Sequence, residues 1–197
     1  EGCNNLGVMY ERGQGVEQNY QLAAGLYKKA CDLGNGEGCY NLGVVYAKGQ
    51  GVEPNYQLAV ELLKKACDLG NGKGCYELGT MYAFGLAVEP NYQLAVELFK
   101  KACDLGNGEG CNNLGVMYER GQGVEQDYQL AFKFYRKACG LGVGKGCYNL
   151  GVMYAKGLGI TQSYQLAAEL FKKACDLGVG KGCYDLFYMY QNGFGLE

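Results

Sequence analysis

The chain has 197 residues, 48% hydrophobic and 19% charged, with a formal net charge of −2, enough for one domain of ordinary size or a close pair. That balance excludes the basic stripe expected of a nucleic-acid binder, and no apolar run reaches the length of a membrane-spanning helix. There is no His, which removes Ser-His-Asp and Cys-His catalysis and the H-E-x-x-H zinc helix.

Taken from the first residue onward, the cysteines set a register. One series is Cys3, Cys39, Cys75, Cys111, Cys147 and Cys183; the other is Cys31, Cys67, Cys103, Cys139 and Cys175. Each series steps by 36 residues, and each member of the second precedes one of the first by eight. Structural zinc usually takes C-x₂₋₄-C, so this C-x₇-C spacing predicts neither a metal nor a cofactor. It reads as five disulfides, Cys31–Cys39 through Cys175–Cys183, and hence as a secreted or periplasmic setting. Buried reduced cysteines in a cytosolic repeat are the other reading. Cys3 is left unpaired, because its partner position falls before the first residue. This predicts a mature or excised segment, with no signal peptide in the chain itself.

The 36-residue period predicts a solenoid running over 1–197 as one domain of about five and a half repeats. Residues 2–18 recur unchanged at 110–126, an offset of three repeats. In the second repeat, helix A is expected over residues 37–48, with Cys39, Leu42, Gly43 and Tyr46 on its core face and Gly49 ending it. Helix B starts after Asn55, and Asn19, Asn91, Asp127 and Ser163 are the equivalent N-caps. Its expected apolar stripe is Tyr56, Ala59, Leu62, Leu63 and Ala66. Gly70 stops it, and Asn71-Gly72 turns into the next helix A. Gly7, Gly43, Gly79, Gly115 and Gly151 form a column suited to close helix approach, which in the last repeat holds Phe187, with Tyr188 in the next column. The last helix, over about 181–192, is therefore expected to act as a C-terminal cap. Leu196-Glu197 reads either as the continuing turn or as a cloning scar.

The run L-G-x-x-Y-x-x-G-x-G-V-x-x-[ND]-x-x-x-A-x-x-x-x-x-K-A-C-D over residues 42–68 resembles the SEL-one-like repeat. With cysteine pairs eight apart, the chain is most similar to the Helicobacter cysteine-rich proteins. The resemblance implies an all-α, α/α superhelical solenoid related to tetratricopeptide arrays, stapled by disulfides and serving as an adaptor surface. It also implies an alternative activity, β-lactam binding or hydrolysis. Leu86-Ala87 departs from the usual Gln-Gly, and Gly140 from the usual Asp. The near-identity of the repeats fits recent duplication or an engineered consensus array with no native ligand.

Residues that would carry chemistry are scarce. Ser163 is the only serine, lacks the Lys of S-x-x-K, and fits the N-cap column. Glu77 and Asp185 share a helix A column but lie three repeats apart, too far for a paired-carboxylate glycosidase. Gly70-Asn71-Gly72-Lys73-Gly74 lacks the Ser or Thr of a P-loop. The Lys28-Lys29 to Lys172-Lys173 ladder interleaves with acids such as Glu61 and reads as a solvated face. The remaining candidate is the side of helix A opposite its core stripe. There stand Asn5, Asn41, Glu77, Asn113, Asn149 and Asp185, with Arg12, Lys48, Phe84, Arg120 and Lys156 two turns on. Amides can meet a peptide backbone, and Arg or Lys a carboxylate. If helix A lines the concave side, the expected partner is a protein or an extended peptide, with repeats three and six presenting a different surface.

Overall fold

The computed structural model describes residues 1–195; the Leu196-Glu197 alternatives lie outside the described residues. The described residues form eleven α-helices and no strand. Helices A are α1 (Gly2–Arg12), α3 (Gly36–Lys48), α5 (Gly72–Phe84), α7 (Gly108–Arg120), α9 (Gly144–Lys156) and α11 (Gly180–Gln191). Helices B are α2 (Tyr20–Asp32), α4 (Tyr56–Asp68), α6 (Tyr92–Asp104), α8 (Tyr128–Gly140) and α10 (Tyr164–Asp176). They divide into two compact units, Glu1–Asn91 and Tyr92–Glu197. None is long and apolar enough to cross a membrane.

Local chemistry starts and stops each element. The side chains of Asn19, Asn55, Asp127 and Ser163 accept from the N–H groups of Leu22, Leu58, Leu130 and Leu166, satisfying orphan donors of helix B. Asn35, Asn71 and Asn107, which the sequence suggests only as turn residues, do the same for helix A through Gly38, Gly74 and Gly110. Val143 and Val179 stand at that position before α9 and α11 and have no such bond. Gly49 closes α3 with φ 66°, a left-handed backbone that a side chain would strain. Ala87 adopts the same region at φ 61°, the only non-glycine among the described residues to do so.

The helix B core differs from the expected stripe. In α4 the buried residues are Ala59, Val60, Leu63, Ala66 and Cys67, while Tyr56 is 57% exposed and Leu62 half-buried. The cause is that α4 packs on both α3 and α5, which widens its buried arc beyond a single stripe. Within unit 1, Ala23, Ala24 and Tyr27 of α2 cluster with Leu42 and Val45 of α3, so the core runs between repeats as well as within them. In unit 2, Ala131, Tyr135, Leu150 and Met153 form the matching cluster. The glycine column is explained by the same packing: a Cβ on Gly7 would come 2.6 Å from the Tyr27 ring. Leu42, Leu78, Leu114 and Leu150 are buried, whereas Leu6 on the first helix stays 39% exposed.

Five disulfides join each helix B to the next helix A, at Cys31–Cys39, Cys67–Cys75, Cys103–Cys111, Cys139–Cys147 and Cys175–Cys183. Cys3 is free and half-buried. On the B surface, Lys137 meets Asp104 at 3.5 Å, so this charge pair ties α8 to α6 rather than joining neighbours on one helix. On α11, Phe187 is exposed, as a large side chain in the glycine column requires, and so is Tyr188 beside it.

Candidate functional site

The outward column of helix A is partly engaged between repeats. In unit 1 the Asn41 side-chain amide donates to Oδ1 of Asn4, at 2.9 Å, and Asn4 is only 4% exposed. In unit 2 Asn149 donates to Oδ1 of Asn112 at 3.0 Å. The Tyr148 hydroxyl donates to Asp185 at 3.0 Å in the same register. Asn41, Glu77, Asn113, Asn149 and Asp185 are half-buried, and only Asn5 of this column is fully in solvent. Of the amide ladder expected from the sequence, Asn41, Asn149 and Asp185 are thus engaged in inter-repeat pairs, while Asn113 accepts from its own neighbour Asn112 at 3.4 Å. Arg12, Lys48, Phe84, Arg120 and Lys156 are all exposed.

Each unit brings one acid and one base of these columns together around a cleft. In unit 1 a cleft of about 620 Å³ lies between the α3–α4 pair and α5, walled by Tyr40, Val44, Lys48, Tyr56, Glu77 and Met81 among others. In unit 2 a cleft of about 410 Å³ is walled by Tyr148, Val152, Lys156, Tyr164, Asp185 and Met189. These are the same six repeat positions, three repeats on. The smaller volume of the second cleft coincides with Phe194, which packs on Tyr164 with ring centroids 4.9 Å apart; Leu86 is its counterpart in unit 1. Asn5, Arg12, Asn41, Phe84, Asn113, Arg120 and Asn149 do not line either cleft.

Burial raises the Glu77 carboxyl above its ordinary value, and the Lys48 charge pulls in the opposite direction. Burial also raises the Tyr40 phenol, with the Glu77 charge adding to it. At Tyr148 burial comes first, followed by the hydrogen bond to Asp185 and its charge. The cleft wall therefore holds an ionisable carboxyl that is short of solvent, set among phenols and aliphatic groups. Sequence reasoning found Lys48, Glu77, Lys156 and Asp185 but missed the tyrosines that complete the walls. Ser163 serves as the cap of α10.

Comparison with known proteins accords with this architecture. The family model described as "Sel1 repeat" matches residues 1–35, 36–71, 72–107, 108–143, 144–179 and 180–197. No curated protein sequence matches the chain. A Sel1 repeat protein from Oxalobacter formigenes is 29% identical with a TM-score of 0.88, over 97% of this chain and 76% of that one. The protective antigen c5321 of uropathogenic Escherichia coli, which displays an SLR fold, is 35% identical with a TM-score of 0.90. That match covers 97% of this chain, which spans only 41% of the antigen. Helicobacter pylori cysteine-rich protein B is 35% identical over 61% of this chain and 86% of its own, with a TM-score of 0.51.

Proposed function

Because this chain belongs to the Sel1-repeat family, a group of scaffolds whose usual role is protein interaction, we propose that it binds a protein or extended peptide on the helix A face of its units. The observation that carries this reading is the open unit 1 cleft, where apolar walls surround a few fixed polar groups. That combination is what a recognition site needs: apolar area for affinity and sparse polar atoms for orientation. The helix B face offers the contrast, a solvated ladder including Lys64, Lys65, Lys100 and Lys101. Five disulfides and the likeness to a cysteine-rich Helicobacter protein support an oxidising setting outside the cytoplasm.

Photo-crosslinking side chains placed at Asn41 and Asn113, compared with Lys64 and Lys100, test the face directly. Incubated with the extracytoplasmic fraction of a host, the first pair should capture a discrete partner and the second should not. Capture only from Lys64 and Lys100 would assign binding to the opposite side. The β-lactam alternative is checked by nitrocefin turnover; Ser163, its sole serine candidate, already serves as a helix cap.

A further inference from the structure

The two clefts are copies, and the substitutions that distinguish them from the other repeats share one electrostatic sense. Where helix A carries Asn5, Asn41, Asn113 or Asn149, a base follows two turns on, at Arg12, Lys48, Arg120 or Lys156. Where the column is acidic, that base is gone: Glu77 is followed by Phe84 and Asp185 by Asn192. Repeats three and six thus exchange a cation for an anion, and each anion forms the wall of a cleft.

We propose, building on the reading of the helix A face as a peptide-binding surface, that each cleft receives an arginine side chain of the partner. Glu77 or Asp185 takes the guanidinium, and the tyrosine and aliphatic walls take the stem. The two charges at each cleft are unequal in what they gain. Lys48 and Lys156 are exposed and keep their hydration, whereas Glu77 and Asp185 are half-buried and have lost part of theirs. A desolvated carboxylate gains more from an incoming counter-charge than a hydrated ammonium does. The Asp185 oxygen that accepts from Tyr148 is Oδ2, which leaves Oδ1 for the ligand. Arginine suits the walls better than lysine, because its weakly hydrated planar head stacks on aromatic faces and pairs with carboxylate through a fork. Tyr40 already lies within 5.9 Å of the Lys73 ammonium, a cation held over the same ring. Tyr56 is 57% exposed, while Tyr164, at 39%, is partly covered by Phe194. The unit 1 cleft is therefore the stronger site.

The test titrates the oxidised, full chain with an acetylated and amidated Gly-Ala-Arg-Ala-Gly peptide, followed by amide chemical shifts. Two sets of shifts are expected, one around each cleft, with the unit 1 set saturating first. Glu77→Gln should weaken the unit 1 event about tenfold and leave the unit 2 event alone; Asp185→Asn should do the converse. Exchanging Arg for Lys in the peptide should weaken both, and Lys48→Ala, which removes a like charge from the cleft wall, should strengthen the first. Melting curves of each variant check that the repeats stay folded. Equal binding of peptides with Leu or Glu in place of Arg, or indifference to both acid substitutions, would overturn the proposal. Peptide binding that depends on Asn41 but not on Glu77 would overturn this inference and spare the broader one. Absence of any shift in either unit would overturn the arginine site, while crosslinking at Asn41 and Asn113 judges the broader reading separately.

Discussion

The hydroxyl of Tyr148 donates to the carboxylate of Asp185 one repeat on, at 3.0 Å, and at the boundary before it Asn149 donates to Asn112 at 3.0 Å. Amide answers amide, and phenol answers acid. Three boundaries within the units thus carry a matched polar pair, Asn4–Asn41, Asn112–Asn149 and Tyr148–Asp185, and a mismatch strands a group in a partly dry place.

Asn41→Ala is the simplest mismatch, because it removes the donor to the buried Asn4. Loss of about 1–2 kcal/mol is expected in denaturant titration. Adding Asn4→Ala should restore part of it, giving a coupling of about 1 kcal/mol. Additive losses would mean that the two amides do not act as a pair.

The disulfides should matter locally. Cys67→Ser with Cys75→Ser opens one hairpin between α4 and α5. Closing a loop of this length contributes roughly 2–3 kcal/mol in the chain-entropy picture. The variant should melt earlier and show faster amide exchange around that boundary than around Cys139–Cys147. Unchanged melting would show that stacking alone holds the hairpin.

Ala87 holds a left-handed backbone where five of the six repeats have glycine. Ala87→Gly should raise stability by about 1 kcal/mol, since strain at such a position outweighs the added freedom of the unfolded chain. A fall in melting temperature would indicate that the methyl group packs usefully against Tyr56 in the cleft wall.

Tyr27 donates to Glu11 and Tyr135 to Glu119, and in both burial, then the bond, then the carboxylate charge raise the phenol above its ordinary value. A folded-state acid with a raised pKa holds its proton longer than the unfolded chain does. Its contribution is complete below about pH 10 and declines as the unfolded phenols ionise above it. Thermal melts across pH 9–12 should show this decline, with much less of it in Tyr27→Phe/Tyr135→Phe. Parallel curves for the two proteins would assign alkaline sensitivity elsewhere.

These tyrosine pairs also show what was legible. Period, helix ends and bridges follow from single columns, because glycine, cysteine and cap residues each have one structural use. The pairings need two columns at once. Glu11 and Glu119 occur with Tyr27 and Tyr135, whereas Ala47 and Ala155 occur with Leu63 and Phe171, which have no hydroxyl. Likewise Asn4 and Asn112 precede Asn41 and Asn149, while Tyr40 and Tyr148 precede Glu77 and Asp185. The signal was present in one chain, but reading each column alone placed Asn41 on an unencumbered surface. The expected stripe of α4 failed for a different reason: periodicity finds one buried face, and a helix wedged between two neighbours has a broader one.

The placement of the bridges gives the backbone two kinds of turn. Between Cys67 and Cys75 a severed peptide bond leaves both halves tethered by sulfur, and the same holds at the other four B-to-A turns. Between α3 and α4 no bridge crosses, so one cut in residues 49–55 leaves two pieces with no covalent tie between them. A protease in the surrounding medium would therefore meet a chain whose vulnerable points recur once per repeat, always in the turn that leads from helix A to helix B.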